Sequence, residues 1–317
     1  NPADHLLFLV QSLETSEVEE FTKHWARHSA EQILPEIQRV RGESAVLPLA
    51  RMHRSKGFFV QMSYLFRREL SETVRNKVGL IMRFGVSAFM NLLFACIFWG
   101  VGGQGVITAH FGALTNVMIG TMFGSAQPLL LTFCFERPIF LREYSANMYG
   151  SLPYFLSKML VEVPLTLLTS LETWLITYWV MGFQGNIFLL TLASAGLAMG
   201  AASLALALGC SVATAKSAQE LSPLIFVPQI LFTGIFVSID LIPKYLSWIQ
   251  YLCALKYALN IACLIEFRDN PDRKSLFNSI DIQDDLWWFY VLVLVGIIAG
   301  FRVIAVFQLR RKAKFVC

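Results

Sequence analysis

The sequence predicts an all-α, polytopic membrane protein with six transmembrane helices, a cytoplasmic amphipathic connecting helix and short re-entrant helices in its last extracellular loop. Three observations carry this. Hydrophobic residues make up 56% of the 317 and charged residues only 15%, against roughly 25% charged and about 45–50% apolar in a soluble domain. The mean hydropathy is +0.56. Six separate apolar stretches are each long enough to cross a hydrocarbon layer of ~30 Å, which takes about 20 helical residues. The same composition excludes a disordered chain. Six cysteines, at 96, 134, 210, 253, 263 and 317, are too scattered for a disulfide-built scaffold.

Residues 1–50 are polar and mixed in charge, and read as a linker with short helical runs. His24 and His28 stand at i,i+4, a metal-clamp spacing, but no third ligand is near and metal sites need three or four donors. A solvated linker helix is the expected role. The chain opens on Asn with no basic, apolar leader before the first span, so it reads as a piece of something longer.

The membrane domain is expected over 51–317. Within 58–78, Phe58, Phe59, Met62, Leu65, Phe66, Leu70 and Val74 recur at helical spacing, and Gln61, Arg67, Arg68, Glu72 and Arg75 fall elsewhere. That is an amphipathic connecting helix with a basic side, suited to the cytoplasmic membrane surface. Spans follow at about Phe84–Gly102, Ala113–Phe135, Tyr154–Val180, Ile187–Val212, Leu221–Ile239 and Trp287–Phe307. Trp99, Tyr154, Trp179, Trp287 and Trp288 lie near span ends, as interfacial aromatic belts do. The fourth span carries Gly196, Gly200, Ala201, Ser203, Ala205, Ala207 and Gly209, small residues that let helix backbones approach closely. Pro128, Pro164, Pro223 and Pro228 each remove a backbone donor inside a span.

Six spans put both termini on one side. Lys and Arg number eight in 51–83, three in 135–160, one in 211–222 and five in 302–317. The alternate connections at 103–112 and 181–187 hold none, and 240–286 holds five against seven acids. The positive-inside rule therefore places both termini in the cytoplasm and 240–286 outside, with the plasma membrane the expected location. No N-x-[ST] sequon occurs. Within 243–267 two short apolar, helix-compatible runs are too short to span and read as re-entrant. Cys253 and Cys263 fall there; two free, buried thiols are favoured over a disulfide.

No G-x-x-x-x-G-K-[ST] phosphate loop, H-E-x-x-H, G-x-S-x-G or C-x-x-C is present, so these residues cradle no nucleotide and offer no catalytic or metal constellation. The net charge of +4 is small, and no nucleic-acid partner is expected. Of five histidines, His110 alone lies near a membrane connection. Three ionisable residues in the third span stand out. Lys158 and Glu162, four apart, share a helix face and are expected to pair at the cytoplasmic rim. Glu172 is deeper, where a lone charge costs at least ~2.5–3.5 kcal/mol; it serves either a helix–helix hydrogen bond or a polar cavity.

Longer patterns carry a resemblance. Asn1-Pro2-Ala3-Asp4 heads the chain. Phe135-Glu136-Arg137-Pro138, Phe140-Leu141-Arg142-Glu143-Tyr144, Tyr149, Tyr154-Phe155, Lys158 and Glu162-Val163-Pro164 follow one another across the cytoplasmic turn. Then come Gly234-Ile235-Phe236-Val237, Ile242-Pro243, Trp248, Tyr251, Lys256-Tyr257, Glu266-Phe267, Phe301-Arg302 and Leu309-Arg310-Arg311-Lys312. Over essentially its whole length the chain resembles white-type (G-subfamily) ABC half-transporters.

The resemblance implies the membrane half of an ATP-driven exporter of lipids, sterols or other hydrophobic compounds. ATP and Mg would be bound by a nucleotide-binding domain ahead of Asn1. Such half-transporters work as homo- or heterodimers around a shared substrate cavity. By position it assigns Val117, Gly120, Thr121 and Gly124 from the second span to that cavity, and Val227 and Ile230 from the fifth. Ile235 and Phe236 would form a hydrophobic plug at the outer exit, and Arg142 and Glu143 would contact the motor domain. Where some multidrug members carry an aromatic clamp, this sequence has Gly124 with Phe123 beside it, a departure from flat-aromatic specificity. An ATP-independent channel or secondary transporter, using Glu172 and Lys158–Glu162 as an ion path, is the alternative. A membrane enzyme with Glu172 as base lacks a partner nucleophile or metal set.

Overall fold

The computed structural model describes residues 15–44, 57–103, 105–146, 148–212, 214–233, 243, 245–268, 270, 273–280 and 282–314, and no strand occurs among them. The chain divides into two compact units, Asn1–Arg54 and Ser55–Cys317. In the first, α1 (Thr15–His28) and α2 (Leu34–Ser44) are joined by a π-helical turn, Ser29–Ile33.

The second unit is a bundle of long helices. Its connecting helix α3 (Phe58–Arg75) ends at Asn76, whose Oδ1 accepts from Gly79 N at 3.0 Å and so caps α4 (Lys77–Ile97). Then come α5 (Ile107–Ser145), α6 (Ser151–Met181) and α7 (Ile187–Ser211). After these, α8 (Ala215–Leu231), α9 (Ala254–Glu266), α10 (Arg273–Ile280) and α11 (Trp287–Lys314) complete the order. Five of the described helices are long and apolar enough to cross a membrane: α4 with the turn after it, α5, α6, α7 and α11.

The differences from the sequence reading have physical causes. α5 begins six residues before the apolar window at Ala113 and runs ten past Phe135, because hydropathy marks membrane depth and not where helical hydrogen bonding stops. The helix therefore carries Glu136, Arg137 and Arg142 out of the apolar layer on one rod. The fifth expected span, 221–239, corresponds to α8, which starts earlier under a Thr214 cap (its Oγ1 accepts from Ser217 N at 3.2 Å) and ends at Leu231. α8 thus has 17 residues and passes into a turn at Phe232 and Thr233; residues 234–242 lie outside the described residues. In 243–267 a 3-10 turn (Ser247–Leu252) and α9 form the two short segments expected there. Cys253 and Cys263 are buried and unbonded.

α7 is the axis of the bundle. In its most apolar stretch 72% of residues are buried, against 11% for α4, which lies at the edge. Its glycines set how close the neighbours come. A Cβ on Gly200 would stand 3.0 Å from Ala254 Cβ in α9, one on Gly196 3.0 Å from Leu294 Cδ2 in α11, and one on Gly209 3.0 Å from Phe133 Cδ1 in α5. Small residues thus let three helices press onto α7, where dispersion between close backbones supplies the association that lipid cannot. The polar side chains of this core bond locally: Trp174 Nε1 donates to Ser194 Oγ at 2.9 Å, and Ser203 Oγ to Met199 O at 2.7 Å.

Candidate functional site

α3 and the adjoining ends of α5 and α6 are fastened together by charge. Leu65 is the buried anchor of α3. Four residues on either side of it, the same helix face carries Gln61 and Glu69, so burying Leu65 aims both at the turn between α5 and α6. Gln61 Oε1 accepts from Gly150 N at 3.1 Å. Glu69 Oε1 stands 2.7 Å from Lys158 Nζ, and Lys158 also pairs with Glu136 of α5. Arg68 Nη1 donates to both oxygens of Glu143, at 3.0 and 2.8 Å, and Tyr149 OH donates to Glu143 Oε2 at 2.5 Å. Burial first, and then the bond to Glu143, raise the Tyr149 hydroxyl above the ordinary phenol range. Behind these pairs Phe140 packs on Tyr154 at 4.6 Å and on Tyr144 at 5.6 Å, and Tyr149 stacks on Tyr154 at 6.0 Å.

Two expectations are corrected or sharpened here. Lys158 and Glu162 do not pair with each other: Lys158 takes Glu69 and Glu136, and Glu162 takes Arg83 of α4 at 2.9 Å. Helical spacing made an intrahelical pair available, but carboxylates and a guanidinium from neighbouring helices reach each group directly. Arg142 is exposed and Glu143 half-buried, so the predicted contact pair is split between an open surface and the internal tie. Glu172 is half-buried, and its Oε2 is buried without a hydrogen-bond partner. One residue on, Thr173 Oγ1 accepts from Asn91 Nδ2 at 3.1 Å, linking α6 to α4.

A second group, missed by sequence reasoning, closes the C-terminal end of α7. Arg137 Nη1 donates to Gly209 O at 2.9 Å and to Val212 O, and Lys312 Nζ donates to Ser211 O and Val212 O at 2.9 Å each. Two cations at a helix C-terminus satisfy orphan carbonyls and oppose the negative end of the dipole. Arg137 belongs to the quoted pattern, but nothing in its spacing names a carbonyl 72 positions away.

The residues expected to face a cavity lie along α5 and α8. Gly124 and Val227 are on open surface, Val227 being 45% exposed. Added Cβ atoms on Gly120 or Gly124 would meet nothing within 4 Å. Thr121 is partly buried, its hydroxyl bonded to Val117 O at 2.9 Å, and Ile230 is partly buried. Phe123 packs on Phe226 at 5.8 Å. Val117, 1% exposed, belongs to the core of the bundle and not to that open face. Gln127 Nε2 donates to Ser222 Oγ at 3.1 Å, so α5 and α8 are tied beside the face. The proposed plug, Ile235 and Phe236, lies outside the described residues.

Comparison with known proteins places this geometry. Residues 60–267 match a family model described as ABC-2 type transporter. ABC transporter G family member 1 of Dictyostelium discoideum is 24% identical over 82% of this chain and 36% of its own length. Protein white of Drosophila melanogaster is 26% identical over 81% of this chain and 40% of its own. The bovine (Bos taurus) broad substrate specificity ATP-binding cassette transporter ABCG2 is 27% identical over 63% and 31%. The chain spans two fifths or less of these relatives.

Proposed function

Since the chain belongs to the ABC-2 type transporter family, we propose that it is the membrane-spanning half of an ATP-driven exporter that works as a dimer by alternating access. The cargo is a hydrophobic or amphipathic molecule: a lipid, a sterol or a xenobiotic. Gly120, Thr121, Gly124, Val227 and Ile230 offer apolar and small surface with one hydroxyl, which favours burial of apolar area at ~25 cal/mol per Å² over directional recognition. Phe123 stands behind this face, and the chain's Val117 supports it from the core. Ile235 and Phe236 close the outer exit. ATP and Mg belong to a separate nucleotide-binding domain, because this sequence holds no phosphate loop. Both termini face the cytoplasm of, most simply, a plasma membrane.

The observation that carries the reading is the cytoplasmic tie. Arg68–Glu143–Tyr149 and Lys158–Glu69–Glu136 join α3 to the ends of α5 and α6. A push on the 143–150 turn is therefore delivered to two membrane helices and the connecting helix as one block. An event outside the membrane can then bias the helices between two packed arrangements. Uptake into inside-out vesicles by the full-length protein, with a panel of lipids and drugs and with or without ATP, tests it. Equal uptake without ATP favours the channel or secondary-transporter reading, which the unpartnered Glu172 carboxylate oxygen supports.

A further inference from the structure

At the opposite end of the bundle, three elements meet at one buried carboxylate. Glu266 closes α9, and its side chain is 0% exposed. Oε1 accepts from Gln184 N at 2.8 Å and Oε2 from Gly185 N at 2.9 Å, both in the turn between α6 and α7. From the first turn of α5, His110 brings Nε2 to 2.9 Å from Oε1, and this imidazole is 8% exposed. Nε2 has no hydrogen-bond partner beyond that charge contact. Phe183 and Phe267 flank the ring at 5.3 and 4.9 Å. Tyr178 of α6 donates to Gly185 O at 3.0 Å. The approach is too close for a side chain at 185: an added Cβ would stand 2.7 Å from Glu266 Oε2 and 3.0 Å from its Cα.

The contacts to Glu266 differ in kind. The two backbone N–H groups donate at every pH. An imidazole changes charge between pH 5 and 8, and only its charged form is drawn by Coulomb attraction to a carboxylate oxygen 2.9 Å away. The titratable groups along the packed elements are Lys256, Tyr257, Cys263 and Glu266 on α9 and Tyr154, Lys158, Glu162, Glu172 and Tyr178 on α6; the 182–186 turn brings none, and Arg268 beyond Glu266 is exposed. Thiols, phenols, ammonium and guanidinium groups ordinarily titrate above that window and carboxyls below it.

We propose that His110 and Glu266 form a proton-operated clasp. With His110 charged, the start of α5, the α6–α7 turn and the end of the re-entrant α9 are locked to one another. With His110 neutral, the α5 link weakens while the two backbone bonds remain.

The test is hydrogen–deuterium exchange of the full-length protein in nanodiscs, corrected for the intrinsic pH dependence of exchange. Segments 182–186 and 254–267 are followed at about pH 5 and about pH 8, the two ends of the imidazole range. Exchange in the natural protein slows on the order of five- to tenfold at the acidic pH, because the charge contact at 2.9 Å forms only there. His110→Gln exchanges at the faster rate at both pH values, and His110→Arg, if the larger side chain is accommodated, at the slower one. The α7 core at 195–206 is unaffected throughout. Equal protection at both pH values in the natural protein overturns the clasp, as does an acid-slowed His110→Gln. Because no cargo or ATP enters this measurement, the clasp stands or falls on exchange alone, whatever a transport assay returns.

Discussion

Glu143 holds Arg68 through both of its carboxylate oxygens, at 3.0 and 2.8 Å, across 75 positions of sequence. The pair is partly exposed, with side chains 45% and 22% accessible. Exposed ion pairs contribute roughly 0.2–1 kcal/mol, so this one adds little to stability. Its consequence is mechanical: it fixes the connecting helix to the end of α5, where the proposed exporter would receive its push.

The first prediction separates those two roles. Glu143→Ala is expected to lower thermal stability by no more than about 1 kcal/mol while uncoupling ATP hydrolysis from transport in the full-length protein. ATPase activity and vesicle uptake measured together check it. Normal coupling removes Glu143 from the transmission path.

Lys158 is the opposite case. Its side chain is 10% exposed and serves Glu69 and Glu136 together, themselves 18% and 22% exposed. Removing the cation of a largely buried ionic group strands the others, at a cost of about 1–3 kcal/mol at this partial exposure. Lys158→Met is expected to destabilise by about that much in a detergent melt. Adding Glu136→Gln and Glu69→Gln should restore most of it, because the stranded charges go with the cation. A triple variant as unstable as the single one counts against this account.

These two sites also show what was legible in the sequence. The apolar windows announced the long helices, and the 3.6-residue pattern around Leu65 announced α3. The run of Gly, Ala and Ser announced α7 as the packing axis, because each signal is local and repeats. The patterns around Glu143 and Lys158 pointed to the turn between α5 and α6, where the structure gathers charged contacts. Partner choice was not legible. Lys158 has a carboxylate four residues along its own helix, yet it takes two from other helices, since the distance between helices is a property of packing and not of spacing. His110 and Glu266 were equally silent, one noted only for its position and the other only as part of a pattern.

Phe236 tests the proposed exit. Phe236→Ala removes a large apolar side chain from the assigned plug, and a raised basal leak or ATPase rate is expected in reconstituted full-length protein. Unchanged coupling and unchanged leak dismiss the assignment.

Cys253 gives a pH-dependent prediction. Burial pushes its thiol up to about 12, and its Sγ–H donates to Ile249 O at 3.4 Å. The fold favours the neutral thiol, so the stabilisation is complete below the ordinary thiol range near 8.5 and is lost as pH rises from there through about 12. The thiolate is the nucleophile, so maleimide labelling at neutral pH should be far slower in the folded protein than after unfolding in detergent, by at least tenfold. Labelling at equal rates would show that this re-entrant segment is open to solvent.

The last prediction contrasts glycines that look alike in sequence. Gly200 in α7 faces Ala254 Cβ, where an added Cβ would come within 3.0 Å. An alanine Cβ is fixed to its backbone and cannot swing away, so a side chain at 200 must part α7 from α9. Gly196 and Gly209 meet the ends of Leu294 and Phe133 side chains instead, which can shift by a few tenths of an ångström. Gly300 in α11 meets nothing within 4 Å. Gly200→Val is therefore expected to destabilise by about 1–3 kcal/mol through overpacking, and Gly209→Ala by less. Gly300→Ala should be neutral or stabilising by up to about 1 kcal/mol, since alanine costs less backbone entropy in a helix. Thermal melts of the three variants in one detergent decide it. Because Gly200 faces the first residue of α9, Gly200→Val should also loosen exchange protection across 254–267. A tolerated valine at 200 would mean that α7 and α9 do not pack at this distance.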